Sequence, residues 1–264
     1  MPRAAADRFV IAQFSDLHCG DARYDSEMLD RVIDEINALD PDLVVVPGDL
    51  TVAGYRDEYV VAAEKLARLT CPEVAVVPGN HDSRNVGYLH FIDLFGARWD
   101  RRELRFPGHD SGVGRELVRV VLLDSSKPDL NDGELGRHRY EWMAGQLAGE
   151  PAFTIVALHH HLVGIPETGR ERNVVLDAGD VLALLDRHKV DLVLAGHKHV
   201  PYVWRVNETL IVTSGTACTW RTRGETPPSY NIVTVTADAI EVAIVPLDGS
   251  ERLEPRRFAR AARP

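Results

Sequence analysis

Five short polar clusters, each following a run of apolar residues, constrain this chain more than any other feature. They are Asp16-Leu17-His18, Gly48-Asp49, Gly79-Asn80-His81-Asp82, His159-His160-His161 and Gly196-His197-Lys198-His199. Seven of the eleven histidines lie in them, and Asp, His and Asn supply the oxygen and nitrogen donors that divalent cations take. A fold that uses all five must bring the ends of several distant strands to one place.

The apolar runs set the strands. Phe9–Phe14, Leu43–Val46, Val74–Val77, Leu117–Leu123, Phe153–Leu158, Leu192–Leu194, Leu210–Thr213, Ile232–Val235 and Ile240–Val245 read as β, and several are nearly continuous in Val, Leu and Ile. That pattern suits strands covered on both faces. Leu29, Val32, Ile33 and Ile36 fall at helical spacing behind an N-cap at Asp25 or Ser26. Further helices are expected from Asp57 through Leu69, over Glu134–Leu147 and over Asp180–His188. Strand and helix alternate in the first half and strands dominate the last third, so the expected class is layered α/β with packed sheets.

The 264 residues are 45% hydrophobic, enough for a sizeable core. A formal charge of -10 argues against gripping nucleic acid, which takes clustered Lys and Arg, and against a polybasic membrane dock. Cys19, Cys71 and Cys218 form no disulfide framework, which favours a reducing compartment. The run Phe9–Ala12 is too short for a signal-peptide core, and no apolar stretch approaches the roughly 20 residues of a membrane span. The expected location is cytoplasmic. Residues 1–249 are expected to form one domain, and 250–264, with five arginines, a flexible tail. Residues 100–116 read as a surface loop or hairpin, and the loop 164–180, with Asn173 in it, as an overhang of the site.

Each cluster alone has an ordinary explanation: a strand-end pair, a glycine turn, an Asx turn. Residues i and i+2 at a strand end share a side, so Asp16 with His18, and His197 with His199, can converge on a cation. His90, His109, His138 and His188 lie in helical or loop surroundings and are assigned no role. Cys19 is expected to be a buried free thiol.

Taken in order, the five blocks resemble the calcineurin-like metallophosphoesterase superfamily, with a likeness over nearly the whole chain. Phe14-Ser15-Asp16-Leu17-His18, Pro47-Gly48-Asp49-Leu50-Thr51, Ala195-Gly196-His197-Lys198-His199 and Ser214-Gly215-Thr216-Ala217 are most similar to its cyclic-nucleotide and glycerophosphodiester phosphodiesterase branch. Protein Ser/Thr phosphatases carry Asp-Arg-Gly after the Gly-Asp and Gly-Asn-His-Glu, neither of which is present here.

The resemblance implies an α/β/β/α sandwich of two mixed sheets flanked by helices. It implies two divalent metal ions, Mn or Fe before Zn or Co. One would be held by Asp16, His18, Asp49 and His199, the other by Asp49, Asn80, His159 and His197, with Asp49 shared. The family block His-His-Pro-Pro reads His159-His160-His161-Leu162 here, so His160 is the alternative to His159. A bridging hydroxide would attack phosphorus in line, with His81 assisting the leaving group and Asp82 orienting His81. Arg84 is a candidate phosphate contact. The implied partner is a small phosphodiester, a cyclic nucleotide or glycerophosphodiester, and a homodimer is expected by analogy. Nucleotide pyrophosphate or monoester hydrolysis on the same site is the first alternative; a non-catalytic scaffold and a nuclease come after it.

Overall fold

The structure is a computed structural model, and it describes residues 8–106, 116–169, 172–223 and 226–260. Two six-stranded sheets lie face to face. The first runs β12-β11-β10-β1-β2-β3 and the second β4-β5-β6-β7-β9-β8. Strands β1 (Arg8–Gln13), β2 (Leu43–Pro47) and β3 (Val74–Val77) are parallel neighbours, joined antiparallel through β10 (Ser229–Thr236), β11 (Ala239–Pro246) and β12 (Arg256–Ala259). In the second sheet β5 (Leu117–Leu122), β6 (Phe153–Ala157), β7 (Leu192–Ala195) and β9 (Thr209–Thr213) are parallel. Antiparallel β4 (Asp100–Arg105) and β8 (Tyr202–Val206) close its edges.

The continuous apolar runs follow from burial on both faces. Successive residues of a strand point to opposite sides. Phe9, Ile11, Leu43 and Val45 therefore enter the core between the sheets, against Val120, Leu122, Ile155 and Leu194. Ala12, Val44 and Val46 face outward to α1 (Ser26–Leu39) and α2 (Arg56–Leu66), where they meet Leu29, Val32, Ile33 and Tyr59. On the far side Val121, Val156 and Val193 pack on α4 (Tyr140–Leu147) and α5 (Ala178–Arg187) through Met143, Val181 and Leu185. This is the expected α/β/β/α sandwich. Two buried amides stitch the sheets together. Gln13 Nε2 on β1 donates to Ala195 O (2.9 Å) and Val212 O (3.2 Å), and Asn231 Nδ2 on β10 donates to Gln13 Oε1 (3.0 Å) and Thr213 O (3.0 Å).

Several boundaries differ from expectation. Asp25 does cap α1, accepting from Met28 N at 2.9 Å. Asp57, however, lies inside the first turn of α2, and Glu58 takes the free N–H groups of Ala53 and Tyr55. The helix expected from Glu134 shrinks to a 3₁₀ turn (Arg137–Arg139) and α4. Gly136 there sits at φ 81°, and Asp177 accepts from Leu135 N and Gly136 N. Helix α3 (Gly87–Phe95) and strand β8 were not expected. Within 100–116, residues Asp100–Arg105 pair with β5, and 107–115, which include His109, lie outside the described residues.

The tail reading needs correction. Arg256–Ala259 form an edge strand on β11, with Phe258 packed on the inter-sheet core and Arg260 paired to Glu116. Arginines suit such an edge because charge discourages further strand pairing. No helix among the described residues is long and apolar enough to cross a membrane.

Candidate metal centre

All five clusters sit at the carboxyl ends of parallel strands: Asp16 and His18 beyond β1, Asp49 beyond β2, Asn80 and His81 beyond β3, His159 beyond β6, and His197 and His199 beyond β7. This is where open α/β sheets place ligands. The convergence of Asp16 with His18 is not a matter of strand pleat. Asp16 (φ 57°), His18 (49°), Asp49 (53°), His197 (77°) and His199 (58°) all adopt left-handed backbone, which costs about 1–3 kcal/mol per non-glycine residue and persists only where the surroundings enforce it. The enforcing contacts are explicit. Asp16 N donates to Gly48 O (3.0 Å) and His18 N to Asp49 O (2.9 Å). Asp16 Oδ2 accepts from the Ser15 hydroxyl and from His197 N (3.1 Å), and Thr216 Oγ1 donates to Asp16 O (2.8 Å).

Two groups of donors result. In the first, His199 Nε2 lies 3.0 Å from His18 Nε2 and 3.3 Å from Asp16 Oδ1, and His18 Nε2 is 3.8 Å from Asp49 Oδ2. In the second, Asn80 Oδ1, His159 Nε2 and His197 Nδ1 are mutually 3.0–3.2 Å apart, and His159 Nε2 is 3.4 Å from Asp49 Oδ2. Asp49 Oδ2 thus faces both. The outward hydrogen bonds decide which atoms point in. His199 Nδ1 donates to Arg221 O, His159 Nδ1 to Pro47 O (2.7 Å), and Asn80 Nδ2 to Asn131 Oδ1 (3.3 Å). What remains on the inner side is lone pairs and carboxylate oxygens crowded together, a cluster of acceptors that only positive charge can satisfy. With metal–nitrogen bonds of about 2.0–2.1 Å, neighbouring donors on one ion stand about 3.0 Å (octahedral) to 3.4 Å (tetrahedral) apart. The residues fit a pair of divalent cations.

Electrostatics agree. Burial holds His18 and His197 well below the usual imidazole range, so both stay neutral donors. Burial also pulls His159 down, but the Asp49 charge and hydrogen bond prevail and raise it to about 9. Asp49, despite burial, is held well below the usual carboxylate range by His159 and His81. Without a metal ion the Asp49–His159 pair therefore carries the charge itself.

The glycines of the blocks are clearances. A Cβ on Gly79 would stand 2.2 Å from Asp49 Oδ1. One on Gly48 (φ 83°) would meet Gly79 N at 2.6 Å and His159 Nδ1 at 2.8 Å.

His159 and its alternative His160 both lie within reach of His197 in one group able to hold a metal ion, but they differ in their other partners. Both ring nitrogens of His160 are engaged elsewhere, Nδ1 with the Ser125 hydroxyl (2.8 Å) and Nε2 with Asn131 O (3.2 Å). Asp82 does not orient His81. Its carboxylate accepts from Leu50 N (3.1 Å), Thr51 N (2.9 Å), Thr51 Oγ1 (2.9 Å) and Gly79 N (2.9 Å), clamping the loops after β2 and β3 to each other. Burial and the Asp49 charge push its pKa up to about 7 against those donors. His81 is placed by Val52 O, which accepts from Nδ1 at 2.6 Å, and its Nε2 lies 4.0 Å from Asp49 Oδ2. Arg84 Nη2 stands 3.2 Å from that Nε2 and 3.1 Å from Asn131 Oδ1, while Nη1 donates to Val52 O (3.0 Å).

These groups open onto a cavity of about 350 Å³, also lined by Arg23, Asn131, Asn173, Arg221, Thr222 and Arg223. The overhanging loop is held from below by Lys198, the middle residue of the last block, whose Nζ donates to Arg172 O at 2.8 Å. Asn131 and the arginines other than Arg84 belong to no block and carried no local signal in the sequence.

The calcineurin-like phosphoesterase family model matches residues 9–201. The chain belongs to that family. This phosphoesterase is similar to a cAMP/cGMP dual specificity phosphodiesterase of Mycobacterium tuberculosis, 29% identical over 92% of this chain and 81% of the relative. It is also similar to a glycerophosphodiester phosphodiesterase of Enterobacter lignolyticus, 27% identical over 76% of this chain and 69% of that one. A match to a probable cyclic nucleotide phosphodiesterase of Synechococcus, 27% identical, covers 62% of this chain and spans only 60% of that relative. A dimetal phosphatase from Danio rerio shares the fold with a TM-score of 0.70 at 14% identity, over 96% of this chain and 99% of the other.

Proposed function

We propose that this phosphoesterase is a dinuclear metal-dependent phosphodiesterase acting on small diesters of the cyclic-nucleotide or glycerophosphodiester class. The observation that carries the reading is the single carboxylate, Asp49, turned to two separate sets of inward-facing acceptors. Asp16, His18, Asp49 and His199 would hold one ion, and Asp49, Asn80, His159 and His197 the other. Two divalent cations there supply the charge that polarises a phosphoryl group and lowers the pKa of an attacking water. With two carboxylates among otherwise neutral donors, the loaded site is cationic and attracts a phosphodiester anion despite the chain's net charge of -10. The likeness to a cAMP/cGMP phosphodiesterase and to a glycerophosphodiester phosphodiesterase supports the choice of diester.

The chain's own residues then handle the leaving group. Hydrolysis adds water across one P–O bond and releases an alcohol that needs a proton. His81 Nε2 faces the cavity at the edge of the donor sets. Because Nδ1–H is committed to Val52 O, Nε2 donates only when the ring carries both protons. Burial outweighs the Asp49 charge and, with Arg84 and Arg221 adding to it, holds His81 below the usual imidazole range, so the doubly protonated ring is the minor form at neutral pH. Arg84, against the same nitrogen, adds a donor that does not titrate. The test is metal analysis of the purified protein together with turnover of bis(nitrophenyl) phosphate against nitrophenyl phosphate. The proposal expects two ions per chain and a strong diester preference. Equal or reversed preference favours the monoester reading, and two bound ions with no turnover of either substrate refutes the enzyme reading.

A further inference from the structure

The wall of the cavity beyond His199 carries charge that the chemistry above does not use. Arg23, Arg221 and Arg223 all line it. Asp21, whose side chain is 10% exposed, stands beside two of them, 3.4 Å from Arg23 Nε and 3.6 Å from Arg221 Nη1. The second distance is too long for a hydrogen bond. Three guanidinium groups against one carboxylate leave a formal +2, on a chain of net -10. Each guanidinium offers five N–H donors, and few of these are engaged among the described residues.

The contrast with the side of the cavity at His81 is direct. There Arg84 is committed to Val52 O, Asn131 Oδ1 and His81. The arginine wall is also built in place. Arg221 O accepts from the outer nitrogen of His199, Arg221 N donates to Thr219 Oγ1 (3.2 Å), and Tyr24 pairs with Thr219 in an isolated bridge. Segments 21–24 and 219–221 are thereby tied to each other and to the metal centre.

We propose that Arg23, Arg221 and Arg223 form a second anion subsite, and that the substrate class is a phosphodiester bearing a further phosphate group apart from the scissile one. This rests on the phosphodiesterase reading above and narrows it. The simplest members of the cyclic-nucleotide and glycerophosphodiester class carry one negative charge, which the metal centre meets, and offer these arginines hydroxyl or base acceptors but no second anion. A terminal phosphate on the non-scissile side gives them a partner with the geometry guanidinium groups bind best.

The experiment compares two dinucleotides with the same scissile bond, one with and one without a 5′-terminal phosphate, on the metal-loaded protein. The phosphorylated one should have a kcat/KM about tenfold higher or more, the effect of charge-assisted Arg–phosphate contacts at a partly exposed site. In Arg23→Gln/Arg221→Gln that ratio should fall to about one, and Arg223→Gln, at an exposed position, should lower it part-way. Calorimetric binding of the same pair reads the subsite separately from the chemistry. Tighter binding of the phosphorylated dinucleotide with no turnover of either, nor of bis(nitrophenyl) phosphate, keeps the subsite and refutes the phosphodiesterase reading. Equal binding and equal kcat/KM on the wild-type protein overturns the subsite and leaves the phosphodiesterase reading intact. So does a preference that survives in the double variant.

Discussion

Replacing Gly79 by alanine adds one methyl group and should disable the site. Gly79 is not in left-handed backbone, so the effect is steric alone. The new Cβ would lie 2.2 Å from Asp49 Oδ1 and 2.4 Å from Asp49 N, where ordinary contact begins at 3.4 Å. The carboxylate must therefore retreat by about 1.2 Å, from the same two values. Asp49 has nowhere to go: Oδ1 accepts from His81 N at 2.9 Å and Asp49 O from His18 N at 2.9 Å. A misplacement of about 1 Å at a catalytic centre is worth roughly 10²-fold, and overpacking of this kind costs about 1–3 kcal/mol of stability. We expect Gly79→Ala to fold with a lowered urea midpoint, to bind metal more weakly, and to lose about two orders of magnitude in kcat/KM for bis(nitrophenyl) phosphate. A variant with full metal content and activity within threefold of wild type would show that Asp49 is not held where both donor sets need it.

Asp49→Asn removes the one charge that faces both donor sets, so metal analysis should find at most one ion per chain and turnover nearly abolished; two ions retained at near-normal rate would sink the shared-ligand assignment. His159→Ala should lower the ion count whereas His160→Ala should not, because His160 is committed to Ser125 and Asn131; the reverse pattern would exchange their roles. His81→Ala should keep both ions and slow alkyl leaving groups by about 10²–10⁴-fold, nitrophenyl groups far less, and equal slowing of the two would argue against proton donation. In the metal-free protein, His18, His160 and His197 are held well below the usual imidazole range by burial. Below about pH 6.5 the unfolded chain takes up protons at these positions that the folded chain does not, so stability should fall with falling pH by up to about 1.4 kcal/mol per unit per histidine. His159, raised to about 9, is protonated in both states in that window; its stabilisation is lost only as pH rises through its folded value. Urea midpoints that stay flat between about pH 7.5 and 5.5 would contradict the burial argument.

The two sheets, and the side chains that gather at their strand ends, could be read from the sequence because each depends on a local signal. A Val-rich run followed by Gly-Asp or Gly-Asn-His-Asp announces both a doubly covered strand and what stands at its end. The elements that escaped have weaker local patterns. Strand β4 reads Asp-Arg-Arg-Glu-Leu-Arg, and β12 Arg-Arg-Phe-Ala; both are edge strands with charged residues on both faces, Arg102 sharing a face with Leu104 and Arg256 with Phe258, which hides the period of two. Asp82 looked like a partner for its neighbour His81, yet its four hydrogen bonds reach Leu50, Thr51 and Gly79, a contact that depends on β2 and β3 lying side by side. The arginines of the rim come from residues 23 and 221–223, nearly two hundred positions apart, and the pairing of Tyr24 with Thr219, with the Asp25 N–Cys218 O and Trp220 N–Arg23 O hydrogen bonds beside it, brings them to one wall. The left-handed backbone at five donors has only a weak sequence cue: Asp and His are enriched there among non-glycine residues, but the conformation is uncommon for any of them.

Neither sheet supplies either donor set alone. Asp16, His18, Asp49 and Asn80 are rooted in the first, and His159, His197 and His199 in the second, so each ion would be gripped from both. Bound cations would then act as rivets across the sandwich, beside the amide stitch of Gln13 and Asn231. A partly open form in which one sheet peels from the other would release both ions together. Chelation should accordingly loosen the seam between the layers and leave each sheet's own hydrogen-bond ladder intact, a pattern that amide hydrogen exchange can resolve strand by strand.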